Sequence, residues 1–312
     1  MKFPFHSQSS GTIFVVAALL TWGINPIYFK SVQNVSSGEI LCHRIIWAVV
    51  FLLFFVFFKK EFNKILEIFY SPRKLLTLAL TAVLISSNWI TFIWAILNNH
   101  LMEASFGYFI SPLFNILLGL IFLKEKLNTT QKVSLIITFA AIVNQFTQIH
   151  FTGLTPFVPI IIAGSFGFYT LLRKQINVES IHGFTVEALL LFPLAMSYIV
   201  YLAHKKEMIF GSSFEISTLL IFAGILTSIP TILYVAGSKL LTLSKVGFLQ
   251  YICPTAQFII AVFIFNEKIN SHSLLTFGLI WTALILYISN CIWCLHKNRS
   301  IIRGRTYSKM KT

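Results

Sequence analysis

The sequence predicts an all-α integral membrane protein with ten transmembrane helices arranged as two inverted five-helix repeats. Three observations lead to this fold class. The 312 residues are 56% hydrophobic and only 11% charged, with a mean hydropathy of +0.81, whereas soluble domains carry about a quarter charged residues. The apolar residues form long runs, unlike the short alternating segments of a β-barrel. The two halves also share short motifs at a constant separation.

Each apolar run of about 17 to 23 residues is long enough to cross the hydrocarbon core of a bilayer as a helix. The connections between the runs are short, so no linker separates soluble domains. No small-residue cleavage site follows the first run, which is therefore kept as a span and not read as a signal peptide. The ten predicted spans lie near residues 11–30, 40–58, 75–97, 102–123, 131–149, 155–172, 182–203, 217–238, 245–265 and 272–294.

The distribution of Lys and Arg predicts that both termini are cytoplasmic. Short cytoplasmic loops of membrane proteins carry an excess of these residues. With the termini inside, 19 of the 24 basic residues fall on the cytoplasmic side, four fall outside and Arg44 lies within a span. The net charge of +14 therefore comes from short clusters beside spans, which argues against a nucleic-acid partner.

Matching motifs indicate the internal repeat. FISP at 109–112 matches YICP at 251–254, and EKLN at 125–128 matches EKIN at 267–270, both at a separation of 142 residues. An odd number of spans per copy makes the second copy enter the membrane from the opposite face, and such inverted repeats are typical of transporters. The expected organisation is an N-terminal cytoplasmic segment, two five-helix repeats and a basic cytoplasmic tail, at residues 1–10, 11–149, 155–294 and 295–312.

The second predicted span begins with three ionisable residues. Glu39 and His43 are four positions apart and share a helix face, so we expect them to pair. Arg44 points about 100° away and would cost about 2.5 to 3.5 kcal/mol at the centre of a span. Glu39 and Arg44 are interpreted as charge anchors, with Arg44 either snorkelling to the interface or bound to another partner. His43 is interpreted as a gating or substrate-path residue.

The fourth predicted span carries small and polar residues at intervals of four. Such a ridge lets another helix approach closely, but it winds across the helix, so its members cannot all face one cavity. The glycines are assigned to a helix seam, whereas Glu103 and Asn115 are candidates for lining a polar path. Pro112 here and Pro254 in the ninth span predict equivalent kinks, which suit either rocking between two states or fixed packing.

Two other spans complete the predicted path. The third has a polar face that includes Asn88, and the seventh contains Glu187. An ionisable residue within a membrane span is a functional candidate by default. The alternative for Glu187 is a structural clamp to Arg173, a third charge anchor, or to Lys174. The whole predicted path combines aromatic residues that stack or gate with polar residues that orient a ligand: Trp22, Asn25, His43, Asn88, Trp94, Glu103, Tyr108, Asn115, Tyr169 and Glu187.

The sequence contains no enzyme motif. HExxH, GxSxG and GxxxxGK[ST] are missing, and the chain has no aspartate. Cys291 and Cys294 have the spacing of a zinc or redox pair, but no second pair accompanies them, so the four cysteines are interpreted as packing residues. We therefore expect no catalytic residue, no metal and no cofactor. The expected partners are a small-molecule substrate and the lipid bilayer, and the oligomeric state is left unpredicted.

Five segments carry a family resemblance: LTWGINPIYFK, GEILCHRIIW, SNWITFIWAILNNHLMEASFGYFISPLFNILLG, SFGFYTLLRK and GFLQYICPT. They resemble the RarD group of EamA-type proteins in the drug/metabolite transporter superfamily, and the resemblance extends from about Ala18 to Trp293. It implies ten helices in two inverted repeats, a central substrate cavity and an inner-membrane location. Related families move amino acids, nucleotide sugars, S-adenosylmethionine or phosphorylated sugars. The family has no agreed catalytic motif, so the resemblance assigns no residue roles.

These observations favour an inner-membrane secondary transporter that moves small polar or amphipathic metabolites, including drugs, by alternating access. His43 or a carboxylate is the candidate proton carrier if transport is ion-coupled. Two alternatives stay open, a membrane scaffold that transports nothing and an integral-membrane enzyme. The enzyme would need acid, base or metal ligands clustered at one depth, whereas His43 and Glu187 are expected near opposite faces.

Overall fold

In a computed structural model, residues 8–98, 100–149, 153–266 and 271–309 are described, and within them the chain forms helices joined by short connections, with no strand. Side chains from residue 291 onward lie outside this description, as do residues 267–270. The EKIN motif and the side chains of the predicted tail and of Cys291 and Cys294 are therefore not described. The helices are α1 (Gln8–Gly23), α2 (Asn25–Ser31), α3 (Ser37–Phe58), α4 (Phe62–Phe69), α5 (Pro72–Leu97), α6 (Leu101–Phe122), α7 (Thr129–Phe146), α8 (Phe157–Gln175), α9 (Ser180–Lys205), α10 (Phe214–Leu240), α11 (Leu243–Gln250), α12 (Ile252–Phe263) and α13 (Ser271–Lys309).

The predicted class, an all-helical membrane protein, is confirmed. Within the described residues, nine segments are long and apolar enough to cross a bilayer. Two of them, residues 8–31 and 243–263, each contain a break, so that α1 with α2 and α11 with α12 form one span each. The predicted fifth span corresponds to α7, an 18-residue helix that is not among the nine because hydroxyl and amide side chains lower its hydropathy. The predicted count of ten is thus not confirmed.

The helices form two compact units within the described residues. The larger one comprises α1 to α6 and α8 to α12. Its main apolar core is built from α1, α3, α5, α9 and α10, which contribute residues such as Leu19, Leu52, Ile85, Phe184 and Val235. Because the connections are short, spans that follow one another directly in the sequence run antiparallel, whereas α3 and α10, which touch each other, both begin near Glu39 and run parallel.

The smaller unit consists of α7 and α13. Polar side chains connect the two helices: the Asn144 amide donates to the hydroxyl of Thr276 at 2.8 Å, and the Asn128 amide donates to the Asn290 side chain at 2.8 Å. Within lipid, amide and hydroxyl groups hydrogen-bond across helices because hydrocarbon offers them no partner. The polar residues that lower the hydropathy of α7 are thus used in packing.

Several helices begin at polar caps that the sequence supplies. Ser36, Ser213 and Thr242 accept hydrogen bonds from the backbone N–H groups three residues later, at the starts of α3, α10 and α11. These side chains satisfy backbone donors that the first turn of a helix otherwise leaves unpaired. The caps fix the points at which three spans of the larger unit begin.

A glycine in α10 sets how closely that helix approaches α3. A Cβ atom at Gly224 would lie 2.3 Å from the backbone carbonyl carbon of Trp47 and 2.6 Å from the backbone nitrogen of Ala48. Backbone atoms cannot turn aside as a flexible side chain can, so only glycine fits here. The small residue permits the direct backbone contact between two spans that membrane helices use for packing.

We expect Gly224→Ala to lower stability by about 1 to 3 kcal/mol, because the added methyl group would force α3 and α10 apart. Thermal unfolding of the detergent-purified protein measures the change. Gly164→Ala is the matched control, since nothing lies within 4 Å of a Cβ at Gly164 in α8 and alanine is the better helix former. Equal stability of the two variants would contradict the close contact.

Candidate functional site

A cavity of about 610 Å³, counting its opening, lies within the larger unit. We call the end of the larger unit at which α3 and α10 begin the Glu39 end. In α3, α5 and α6, the lining residues lie in the half of the helix that is nearer to this end. The lining combines aromatic, amide and hydroxyl side chains with one guanidinium: Leu19, Trp22, Asn25, Phe29, Arg44, Asn88, Trp89, Phe92, Tyr108, Ser111, Phe166, Gln250, Cys253, Pro254 and Gln257.

Two interrupted spans meet at this cavity. The first breaks between Gly23 and Asn25, and the other breaks at Tyr251. The breaks touch each other, because a Cβ at Gly23 would lie 2.6 Å from the Cβ of Ala256 and 3.6 Å from the carbonyl oxygen of Cys253. Discontinuous spans of this kind form the substrate sites of many transporters.

Prolines leave backbone acceptors in the cavity wall. A proline has no N–H and cannot donate to the carbonyl four residues earlier in a helix. For three prolines, the residue four positions earlier lines the cavity. The carbonyl of that residue lacks the usual donor from its own helix, because the proline has no N–H. The pairs are Trp22 with Pro26, Tyr108 with Pro112 and Gln250 with Pro254. The predicted kink at Pro254 lies just after the break at Tyr251, whereas Pro112 lies inside the continuous helix α6.

Arg44 is buried, at 5% exposure, and lies in the cavity wall, not at the interface. Its Nε donates to the hydroxyl of Thr227 at 2.9 Å. The guanidinium carbon lies 4.7 Å from the centre of the Trp89 ring and 5.9 Å from that of Phe29. Aromatic faces attract cations and offset part of the cost of burial. Arg44 also borders a smaller cavity, in which the buried hydroxyl of Tyr28 has no partner in the described structure.

Amide side chains fix the positions of several wall helices. Asn88 donates to the carbonyl oxygen of Ile162 at 2.8 Å, tying α5 to α8. Asn115 donates to the side-chain oxygen of Gln250 at 2.6 Å, tying α6 to α11. Asn115 is fully buried behind the cavity and reaches it through Gln250.

Aromatic rings form the apolar part of the wall. Trp22 packs edge-on against Phe166, with ring centres 5.7 Å apart, and contacts Tyr234 at 5.2 Å. Phe92 packs edge-on against Tyr108 at 4.9 Å. Aromatic pairs in these arrangements are stabilised beyond the area they bury. The predicted path residues Trp22, Asn25, Asn88 and Tyr108 thus lie around one cavity.

At the Glu39 end, Glu39 binds the backbone before α10. Its carboxylate accepts from the N–H of Ile209 at 2.9 Å and from the N–H of Phe210 at 2.8 Å. His43 stacks on the Phe210 ring at 4.6 Å and accepts from the indole N–H of Trp47 at 3.2 Å. The expected partners Glu39 and His43 lie 3.9 Å apart, Oε1 to Nε2. His43 is not a cavity-lining residue in this conformation.

Glu187 and Tyr169 lie outside the cavity lining and belong to a buried cluster around Arg173. Glu187 accepts from the hydroxyl of Thr81 at 2.6 Å and lies 3.3 Å from the Nε of Arg173. Tyr169 donates to the other carboxylate oxygen at 3.4 Å. The geometry matches the alternative of a clamp between Glu187 and Arg173.

Other charges hold the backbone near this cluster, at the end of the unit where α8 and α10 finish and α9 and α11 begin. We call it the Arg173 end. The ammonium of Lys174 donates to the carbonyls of Ser238 and Leu241, and that of Lys239 donates to the carbonyls of Ile176 and Val178. Both ammonium groups lie near helix ends, and cations are stabilised at helix C-termini by the negative end of the helix dipole.

The start of α11 at the Arg173 end is held by a carboxylate. Glu125 accepts from the N–H of Leu243 at 2.6 Å and from the N–H of Ser244 at 2.8 Å. Carboxylates are stabilised at helix N-termini, where backbone N–H groups point outward. The Arg173 end is therefore closed by charge-assisted contacts between several helices.

An ionic network lies on the surface beside the Arg173 end. The ammonium of Lys64 lies 2.8 Å from Glu61, whose other oxygen lies 3.0 Å from the Nε2 of His182. The hydrogen bond from Lys64, followed by that from His182, lowers the pKa of Glu61. The network ties α4 to α9, and its exposed members contribute little stability individually.

Two further predicted path residues, Trp94 and Glu103, also lie outside the cavity lining. Trp94, at 41% exposure, stacks on His100 with ring centres 5.4 Å apart. His100 in turn lies 3.3 Å from Glu103, Nδ1 to Oε1, at the start of α6. Neither Trp94 nor Glu103 lines the cavity in this conformation.

Several cavity residues were missed by the sequence analysis, including Gln250 and Gln257. The 142-residue repeat offset offers a signal for both, since it relates Tyr108 to Gln250 and Asn115 to Gln257. Phe166 has a similar signal, since Trp22-Gly23 matches Phe166-Gly167 at a separation of 144 residues, whereas Trp89 has none. Among the described residues, no three His, Cys or Glu side chains are grouped as metal ligands.

Comparison with known proteins identifies similar chains. Residues 9–145 match the EamA-like transporter family. The chain is 38% identical to Protein RarD of Escherichia coli K12, over 91% of this chain and 95% of that one. It is 37% identical to the uncharacterized transporter YojE of Bacillus subtilis, over 90% and 95%. A solved crystal structure, 13% identical, superposes with a TM-score of 0.70 over 90% of this chain and 97% of the other, which shows a shared fold.

We expect Glu39→Gln to loosen the backbone before α10, because a neutral amide is a weaker acceptor for two N–H groups than a carboxylate. Hydrogen exchange at Ile209 and Phe210 should accelerate by about tenfold or more. Glu207→Gln is the matched control, since Glu207 is exposed in the same segment. Unchanged exchange in Glu39→Gln would contradict the role of Glu39.

Proposed function

The chain belongs to the EamA-like transporter family, in the group of RarD proteins, and on that premise we propose that it is a secondary carrier. It moves small polar or amphipathic metabolites by alternating access across the bacterial inner membrane. Relatives named as transporters support membrane transport. The observation that carries the finer proposal is the polar cavity at the contact between two interrupted spans.

The chemistry of the cavity supports a polar or amphipathic ligand. Aromatic rings supply an apolar wall, while amides, proline-freed carbonyls and one guanidinium supply hydrogen-bonding groups. Sites for small molecules combine such apolar walls with a few polar groups that fix orientation. A scaffold without transport would have no need for polar groups around empty space within lipid, where each of them is costly.

The two ends of the larger unit support alternating access. The cavity lies toward the Glu39 end, and the Arg173 end is closed by contacts that join α5, α8, α9 and α10. In the proposed cycle these contacts break when the Glu39 end closes over the ligand. Salt bridges and carbonyl caps suit this role, because they can be exchanged for water when the end opens.

The proposed orientation places both termini and the Arg173 end in the cytoplasm. It rests on the excess of Lys and Arg at that end, which includes Lys59, Lys60, Lys64, Arg73 and Lys74 near α4. The Glu39 end then faces the opposite side. Import and export are both compatible with this cycle, because a carrier runs in the direction of its net driving force.

Cys253 provides a native probe of the cavity. We expect a protein that retains Cys253 as its only cysteine to react with a membrane-impermeant thiol reagent from either side of the membrane, because the cavity opens to each side in turn. Labelling in right-side-out and inside-out vesicles measures this. A protein that retains only Cys42, which is buried away from the cavity, is the control. Labelling of Cys253 from neither side would favour a sealed scaffold.

A further inference from the structure

Among the residues that line the main cavity, Arg44 carries a fixed charge and no carboxylate accompanies it. Within the described part of the chain, no carboxylate oxygen lies within 4.0 Å of its nitrogens, and only Nε has a hydrogen-bond partner. The two terminal NH₂ groups are left without an acceptor from the described protein. A guanidinium offers five N–H donors in a planar fork, so most of the binding capacity of Arg44 is unused.

The buried Arg173 and the half-buried Lys174 and Lys239 of the larger unit are matched differently. Arg173 has the carboxylate of Glu187 beside it and its Nη2 donates to the carbonyl of Ser180 at 3.0 Å, while its Nε and Nη1 have no hydrogen-bond partner in the described structure. Lys174 and Lys239 each donate to two backbone carbonyls. The fold therefore places a carboxylate or a backbone carbonyl against each of these three cations. Arg44 differs from these cations, because no carboxylate or carbonyl of the described chain lies against it and its charge borders the two cavities.

From this contrast we propose that the cavity binds a small organic monoanion, a carboxylate on an aromatic or otherwise apolar body, with the carboxylate on Arg44. The proposal rests on the proposed carrier function and names its substrate class. A planar carboxylate accepts two parallel hydrogen bonds from a guanidinium, a geometry that an ammonium group cannot offer. The bound anion would neutralise a charge that is costly inside a membrane.

The charge of the ligand follows from the count of cations in the wall. Arg44 is one fixed positive charge, and the lining contributes no second Lys or Arg. A dianion such as a phosphate monoester would bring a second negative charge into a low-dielectric space without a partner. A carboxylate is neutralised fully by Arg44, so a monoanion fits this wall better.

The remaining wall defines the rest of the ligand. Trp22, Trp89, Phe92, Tyr108 and Phe166 offer aromatic faces and edges, which favour an aromatic or apolar body. Asn25 and Gln257 lie on the two interrupted spans and can bind a hydroxyl or amino substituent. A binding cavity built this way discriminates by charge at Arg44 and by shape along the rings.

A purely structural Arg44 is the rival explanation. In that case the rings of Trp89 and Phe29 and the hydroxyl of Thr227 would hold the guanidinium, and ligands would not sense its charge. Both explanations allow Arg44→Gln to destabilise the fold. They differ in whether the protein distinguishes a carboxylate from an uncharged ligand of the same shape.

The test uses phenylpropanoate, phenylpropanamide and phenylpropylamine, which share a body and differ in charge, with inorganic phosphate as a fourth probe. Isothermal titration calorimetry of the purified full chain measures binding, and protection of Cys253 from a thiol reagent locates it. We expect the carboxylate to bind most tightly and phosphate not to bind. Arg44→Gln should weaken carboxylate binding by about tenfold to a hundredfold and leave amide binding unchanged, with Arg44→Lys in between.

Lys30→Gln is the matched control, because it removes one exposed positive charge beside the Phe265 ring, at the Glu39 end but outside the cavity lining. Carboxylate binding should be unchanged in it. Equal or tighter binding of the amide or amine by the unaltered protein overturns the proposal, as does binding of none of the probes. This comparison stands even if Arg44→Gln does not fold. If the carboxylate binds but Cys253 is labelled from neither side of the membrane, the proposed carrier function is contradicted and the proposed binding site is retained.

Discussion

Hydrocarbon offers no partner to a charge or to a backbone polar group, so each one inside a span must be satisfied by the protein itself. Several buried or half-buried charges of this chain obey that constraint through backbone contacts. Glu39 and Glu125 accept from N–H groups near helix starts, and Lys174 and Lys239 donate to carbonyls near helix ends. These contacts join different helices, so the charges also help to fix which helices pack against each other.

The same constraint explains why the cavity lies where it does. Prolines remove intrahelical donors and two spans are interrupted, which leaves carbonyls that neither their own helix nor lipid can satisfy. Such backbone is tolerated in a membrane where it lines a polar space. Arg44 belongs to this region, with its fork directed at neither a carboxylate nor a carbonyl of the described chain. Alternating access then requires that contacts at the Arg173 end be exchanged for new ones.

The sequence predicted the fold class well, because hydropathy and the repeat depend on local composition and spacing. It predicted Asn88 and Tyr108 as path residues, and both line the cavity. The sequence could not show that Glu187 lies outside the cavity lining. A helical pattern shows which residues share a face, but not which other helix that face contacts. The clamp to Arg173 was one of the alternatives that the sequence left open, and it could be chosen only once α8 and α9 were placed together. Arg44 was interpreted as an anchor for the same reason, since the rings that surround it come from other spans.

Alternating access requires that the two ends of the larger unit open in turn around the cavity. Electron–electron distance measurements between spin labels test it directly, with one pair at Ser31 and Ser212 near the Glu39 end and another at Lys59 and Lys124 near the Arg173 end. All four residues are exposed. We expect two distance populations for each pair, and we expect saturating phenylpropanoate to lengthen one distance as it shortens the other. A single distance for both pairs, unchanged by ligand, would contradict it.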